Sequence, residues 1–465
     1  MRSLKIIFIS LGIIAFCSFG IYGIYTRYFS VSAKLNNYVQ SYANLGLFSG
    51  SVLVAQEETV LLCKGYGMTN YEHMVPNTPQ TKFDIGSITK QFTSMAIMQL
   101  VQEGKLKLTD TVASILSDCS HGKEITVYQL LTHTSGTPDH EESIEFDYRK
   151  SATVTTTTNF DYSKPVTIAD IIDWVKNKPL EFTPGSKFKY SNTGYTILAA
   201  IIEKLSGKSY EKFLQEHIFK PLGMNDTGLL HTKPLIMHRA QGYHKTDTNL
   251  ENAAYYDPSV DIGSGALYST IENLYLWDRA LYTDKLISSD LREQLWKPYL
   301  DDYGLGWRIT HIHGHRCFSH TGGWFDCATI IMRFIDDDIC IIILSNFDSN
   351  SAPVKRMGDD LAAIIFGKHY EFPRKAIKID ISLYDAYVGQ YELKPNLMVT
   401  IKKKNDRLFV KATGQSADEL FPESETKFFN NYVPLQISFI KGADGKIIKL
   451  IGHQDGQDFM AKKID

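Results

Sequence analysis

Ser87 and Lys90 stand three residues apart in the stretch Phe83-Asp84-Ile85-Gly86-Ser87-Ile88-Thr89-Lys90. If a helix opens at the serine, the two side chains share one face, a turn apart. A hydroxyl beside the unpaired N–H groups of a helix start, with an amine in reach to take its proton, has the parts of an activated nucleophile. That chemistry needs a further group to carry protons to a leaving group, and N–H donors for a developing oxyanion. Tyr190-Ser191-Asn192 offers the first, because a tyrosine next to ammonium groups loses its proton more easily. Asn192 can hydrogen-bond a substrate amide. His320-Thr321-Gly322-Gly323 offers the second. Its glycines let a substrate lie along a strand edge, and the Gly323 N–H can pair with that of Ser87.

The spacing alone carries little, since Ser-x-x-Lys starts at Ser87, Ser120, Ser186, Ser209, Ser424 and Ser438. Only the Ser87 copy follows a glycine and opens a long apolar run. That run, Gln91 to Glu103, carries Phe92, Met95, Ala96, Ile97, Leu100 and Val101. It predicts a helix buried on most sides and ended by Gly104. Taken singly, Tyr190 reads equally as a buried structural tyrosine, and His320 as a solvated residue of an edge-strand turn.

The surrounding pattern must position these residues. Gly50 to Ala55 and Thr59 to Tyr66 predict a hairpin around Gln56-Glu57-Glu58. Ile125 to Gly136 predicts a short helix and turn, and Asp139 to Pro165 a polar loop over one edge of the site. Helices are expected at Ile168 to Lys178 and Thr193 to Leu205, the second closed by Gly207. Cys327 to Phe334 and Ile339 to Leu344 predict a second hairpin across Asp336-Asp337-Asp338, followed by a helix at Val354 to Phe366. Strands at both ends with helices between favour an α+β layout: an antiparallel sheet flanked by helices, with a helical subdomain. The text changes character near Pro373. Short alternating runs at Leu397 to Lys402, Arg407 to Ala412, Leu435 to Ile440 and Ile447 to His453 predict a separate small all-β barrel.

The 465 residues leave room for more than one domain, and the net charge of -3 shows no basic stripe for nucleic acid. After Arg2 and Lys5, Ile6 to Tyr25 is apolar and uncharged; roughly 20 such residues suffice to span a bilayer. This predicts export, by an uncleaved membrane anchor or by a signal cleaved after Ala33. The resulting division is 1–30 for the signal or anchor, 35–370 for the site-bearing domain and 380–465 for the all-β domain. Of six cysteines, Cys17 lies in the apolar segment and the other five are too unevenly spaced for a disulfide framework. A Cys317–Cys327 pair across strands is the one bridge considered. No Cys-x-x-Cys or His-Glu-x-x-His spacing occurs, so neither a metal nor another cofactor is expected.

Ser87-x-x-Lys90, then Tyr190-Ser191-Asn192, then His320-Thr321-Gly322 resembles the serine β-lactamase/penicillin-binding protein superfamily, most closely its class C β-lactamase-like branch. Leu131-Thr132-His133-Thr134-Ser135-Gly136, Phe182-Thr183-Pro184-Gly185, Pro221-Leu222-Gly223-Met224 and Gly265-Ala266-Leu267-Tyr268-Ser269-Thr270 also look like family segments in family order. The likeness covers Tyr38 to Gly367, and the C-terminal region looks like the lipocalin-like domain of some members. The resemblance implies that Ser87 forms an acyl-enzyme and that Lys90 and Tyr190 relay the proton, either being the base. Asn192, His320, Thr321 and Gly322 would bind substrate, and the Ser87 and Gly323 N–H groups would form the oxyanion hole. The implied substrate is a small D-amino-acid peptide, an amide, an ester or a β-lactam. The alternative is a catalytically weak protein that binds penicillin or senses cell-wall fragments. His320 is a departure, because β-lactamases usually carry lysine there, and the Ser-Asp-Asn motif of class A is absent. A histidine titrating near ~6.5 is expected to hold a substrate carboxylate less well as the pH rises.

Overall fold

Residues 328–334 and 339–345 are runs of β-branched and other apolar side chains, suited to strands covered on both faces. In the computed structural model every residue of both runs is buried, and they pair antiparallel from Ala328↔Ser345 to Phe334↔Ile339. The structure describes residues 30–464 except 120, 142–144, 147–153, 156–160, 247–248, 349–351 and 455–456. The apolar segment Ile6–Tyr25 lies outside the described residues, as does most of the predicted loop 139–165. Among the described residues no helix is long and apolar enough to cross a membrane.

The chain divides into two units. One takes the residues up to Asn37 and Gly46–Val354, the other Tyr38–Leu45 and the residues from Lys355 onward. The first holds a six-stranded antiparallel sheet. Its spatial order is Arg308–Ile312, His315–Gly323, Ala328–Phe334, Ile339–Ser345, Gly50–Gln56 and Thr59–Tyr66. The last of these strands in sequence therefore pairs with the first, Gly50 opposite Ser345.

Thr89–Gln102 forms the helix expected from its apolar run, and Thr89 to Leu100 are all buried. It packs against the helix Asn192–Ser206. That helix starts where Ser191 Oγ accepts the Gly194 N–H and stops at Gly207, in the left-handed region at φ +69°. Phe92 lies against Trp277, ring centroids 4.4 Å apart, and the Trp277 indole N–H donates to Gln91 Oε1 at 3.0 Å. The segment that carries Ser87 is thus anchored from several sides of one core.

Arg333 and Asp278 are both fully buried and ion-paired, with the guanidinium also donating to the Asp278 carbonyl at 3.1 Å. Arg333 sits among the rings of Tyr282, Trp296 and Trp307. Asp278→Ala strands a buried cation, so a loss of about 3–5 kcal/mol is expected. A urea midpoint shift for the intact chain measures it; a shift under about 1 kcal/mol shows that Asp338 or water takes over the partner's role for the guanidinium.

Cys317 and Cys327, the one pair that the sequence left open as a bridge, are both free thiols. Phe318 pairs with Arg333 and Gly323 with Ala328, so the two cysteines lie toward opposite ends of one hairpin. That separation is on the order of 20 Å, against a Cα distance under about 7 Å for a disulfide.

In the second unit eight strands, Gly389–Lys394 through Gln457–Lys463, each pair with the next in sequence. The last returns to the first, Tyr391 opposite Lys463, which closes the barrel and leaves no free edge. Tyr387, Tyr391, Ile401, Leu408, Phe428 and Phe439 fill the interior. Tyr38 and Tyr42, from the helix over residues 30–44, belong to this unit, where the Tyr38 hydroxyl donates to Asp360 Oδ2 at 2.5 Å.

Candidate active site

Ser87 is placed by a turn held at both ends. Asp84 pairs with Tyr268, Gly86 takes φ +49°, and Gly86–Ile88 winds one 3-10 turn into the buried helix. The Asp84 carboxylate accepts the Gly86 N–H at 3.0 Å and the Tyr256 hydroxyl at 2.5 Å. Thr329 Oγ1 donates to the Ile85 carbonyl at 2.9 Å. The strand ending at Gly323 passes this turn backbone to backbone. A Cβ on Gly86 would lie 2.9 Å from the Gly323 nitrogen, and one on Gly322 2.0 Å from the Ile85 oxygen. Gly322→Ala must therefore displace main chain. A shift of about 1 Å at the reacting serine costs roughly 100-fold in rate, so acylation should fall by about that factor while the fold persists. Stopped-flow acylation beside a circular dichroism spectrum tests this; an unchanged rate shows that the turn does not depend on the close approach.

Lys90 Nζ reaches Ser87 Oγ at 2.9 Å, Asn192 Oδ1 at 2.6 Å and the Ser264 carbonyl at 2.9 Å. Those contacts use all three ammonium protons. Burial pushes its pKa down to about 8, against the opposing pull of Glu141, Asp139 and Asp261. As a neutral amine it can receive the Ser87 proton along the same 2.9 Å line. Tyr190 stands over Lys90, ring centroid 4.7 Å from Nζ, and lies against His133 at 4.2 Å. Its hydroxyl interacts with Ser87, which favours the phenolate, but burial outweighs this and holds its pKa well above the ordinary value. The expected easing of Tyr190 ionisation does not occur in the free protein.

His320 differs most from expectation. It is 6 % exposed, its Nε2 lies 2.9 Å from the Tyr303 hydroxyl and its Nδ1 2.6 Å from the Thr321 carbonyl. The carbonyl requires an N–H from Nδ1, which leaves Nε2 to accept from Tyr303: a neutral ring with both nitrogens used. Burial, with the Lys90 charge nearby, pushes its pKa down to about 3. It carries no positive charge for a substrate carboxylate at neutral pH, so no pH step near ~6.5 arises from it.

A narrow cleft opens beside Ser87 and includes Asn192 and Gly323 in its walls. His320, Thr321, Lys90 and Tyr190 stand outside that lining, although Lys90 and Tyr190 touch Ser87 itself. The walls also carry acids that the sequence reading passed over: Asp84, Glu141 and Asp261. Asn192 Nδ2 donates to Glu141 Oε2 at 2.7 Å and to Asp139 Oδ2 at 3.3 Å. Burial pushes Asp139 and Asp261 up to about 6 each, and pushes Glu141 upward, with Asp261 against it adding to the effect. The available signal was Asp139-His140-Glu141, three chemistry-bearing types in a row at the head of a stretch read as loop. Among the described residues two groups have metal-ligand proximity, Asp84–Asp326–Cys327 and Asp139–His140–Glu141, each with ligand atoms within 4.8 Å. Tyr256 already serves Asp84, and Thr193 Oγ1 lies 2.8 Å from His140 Nδ1.

A family model described as Beta-lactamase matches residues 34–364, and the chain belongs to that family, within the serine hydrolases of the β-lactamase/penicillin-binding protein superfamily. A second model, a domain of unknown function (DUF3471), matches residues 373–463, the barrel. The chain is similar to Penicillin-binding protein 4* of Bacillus subtilis (strain 168), 32% identical over 438 residues, covering 88% of this chain and 94% of that protein. The octameric penicillin-binding protein homologue from Pyrococcus abyssi matches with a TM-score of 0.65 and 26% identity, over 92% of this chain and 99% of that one. The D-amino acid amidase from Ochrobactrum anthropi SV3 shares the fold, with a TM-score of 0.62 and 22% identity over 72% of this chain and 99% of its own.

Proposed function

We propose that the chain hydrolyses a D-amino-acid peptide, amide or ester through an acyl-enzyme on Ser87. The observation that carries this is the 2.9 Å contact between Ser87 Oγ and a buried Lys90 whose pKa is pushed down to about 8. Lys90 is the base in this reading. Ser87 Oγ bonds to the substrate carbonyl carbon as its proton passes to Lys90 Nζ. The N–H groups of Ser87 and Gly323, adjacent across the Gly86 turn, receive the oxyanion. The carbon–nitrogen or carbon–oxygen bond then breaks. The leaving group takes the proton from Lys90, directly or through the Tyr190 hydroxyl. Water adds to the ester, releases the acid and returns the proton to Ser87. Similarity to Penicillin-binding protein 4* and the fold shared with D-amino acid amidase support this substrate class. We further propose that residues 6–25 direct export and hold the chain at the membrane; fractionation with N-terminal sequencing tests this, and a soluble cytoplasmic chain refutes it.

The test of the hydrolase reading is mass spectrometry of the full chain after incubation with a fluorophosphonate, a penicillin, and a panel of D-aminoacyl amides and esters. An adduct on Ser87 with released product is expected. No adduct from any acylating probe on folded protein overturns it, and an adduct without turnover leaves a penicillin-binding protein in place of a hydrolase.

A further inference from the structure

The segment Leu131-Thr132-His133-Thr134-Ser135-Gly136 forms no bond to substrate in the acylation step, yet it runs beside the chain that carries Tyr190. The Glu181 N–H donates to the Gly136 carbonyl at 2.9 Å, and the Gly185 N–H to the Thr134 carbonyl at 2.7 Å. At His133 the contact doubles. Its carbonyl accepts the Lys189 N–H at 2.9 Å, and its ring Nδ1 accepts the Ser191 N–H at 3.1 Å. One residue therefore grips the main chain on both sides of Tyr190. The same imidazole lies against the Tyr190 ring, with centroids 4.2 Å apart.

Two local penalties set His133 apart. Its backbone is left-handed, at φ +55°, a region uncommon for residues other than glycine. Its Nδ1 accepts, so the neutral ring carries its proton on Nε2, and that buried N–H has no hydrogen-bond partner. A residue present only to fill the core would incur neither, and such penalties persist where the surroundings demand them. Burial, with the Lys90 charge nearby, pushes the pKa of His133 well below its ordinary value, which keeps Nδ1 unprotonated and able to accept.

We infer that His133 is the positioning residue for the leaving-group proton: it fixes the Tyr190 hydroxyl at Ser87 by holding the main chain on either side of Tyr190 and the ring itself. This deepens the hydrolase reading and rests on it. The Tyr190 hydroxyl interacts with Ser87, beside the bond that must break. As the carbon–nitrogen bond of the tetrahedral adduct breaks, that hydroxyl gives its proton to the leaving nitrogen and takes in return the proton that Lys90 received from Ser87. An amine leaves only with that proton, whereas p-nitrophenolate leaves without one. Displacing Tyr190 therefore slows amides and spares activated esters.

The experiment measures kcat/KM of the full chain for D-alanine amide and D-alanine p-nitrophenyl ester, which share one acyl donor and differ in the leaving group. A shift of about 1 Å at a reacting group costs roughly 100-fold, so His133→Ala should lower the amide rate by about that factor and leave the ester near wild type. His133→Asn carries Oδ1 on the same Cγ that bears Nδ1 and tolerates the left-handed backbone, so it should recover about tenfold or more of the amide rate. Equal losses for the two substrates show a merely structural residue and overturn the inference, as does an asparagine variant no better than alanine. A wild-type chain that leaves the amide intact while fluorophosphonate labels Ser87 overturns it too, with the acyl-enzyme reading still standing. Absence of labelling overturns both. Should His133→Ala fail to fold, His133→Gln takes its place: its amide lies one atom further out and leaves the Ser191 N–H unanswered, and the same ratio of amide to ester decides.

Discussion

Ser87→Ala is expected to abolish the acyl adduct and lower kcat/KM by ~10⁴-fold or more, because no neighbouring group can take over the bond to the acyl carbon. The Ser87 side chain ends at the cleft, and its hydroxyl is not a support of the core. The variant should therefore keep the wild-type circular dichroism spectrum and urea midpoint. A fluorophosphonate on folded wild type and variant, read by intact mass, gives the result directly. Retained labelling at another residue would show that the Lys90 contact with Ser87 is structural. The five other Ser-x-x-Lys copies supply an internal comparison, since none is expected to label.

Lys90→Met keeps most of the side-chain volume and removes the proton acceptor. A loss of about 10²- to 10⁴-fold in acylation rate is expected, the usual worth of a general base. In wild type the pH profile should carry the same signature. Below about 8 the lysine is an ammonium with no lone pair, so acylation is slow there, rises with pH through about 8 and levels above it. The groups facing it are Asp139, Glu141 and Asp261, with Tyr190, His133 and His320 on the other sides. The midpoint therefore belongs to the coupled set. The carboxylates favour the ammonium, so Asp261→Asn should move the midpoint downward. Stopped-flow acylation from pH 5 to 10 reads both effects. A flat profile with Lys90→Met near wild type would transfer the base role to Tyr190.

Within each element the pattern was strong. The buried run after Lys90 reads as a helix because apolar residues occupy every face, and the structure buries it accordingly. The hairpins at 50–66 and 328–345 were legible as paired short apolar runs around polar turns, and the C-terminal strands by period-two alternation between Gly, Asn and Asp turns. The chain also offers its candidate nucleophile, its amine and its glycine-rich strand edge, since those residue types at those spacings suit one kind of chemistry.

What the sequence could not hold is charge state. His320 reads as a switchable cation in the text, yet Tyr303 and the Thr321 carbonyl take both its nitrogens in a buried place, and desolvation keeps it neutral. Tyr190 reads as an easily ionised phenol, and burial reverses that. Asp139, Glu141 and Asp261 look like loop acids spread over more than a hundred residues, and become the polar wall of the site only when the chain brings them to Asn192 and Lys90. Sequence by itself determined the elements and the reactive groups, because those follow from local periodicity and residue chemistry. Tertiary structure alone decided which of those groups are charged and what charge the cleft presents, because a pKa is set by the solvent and neighbours that folding removes or supplies.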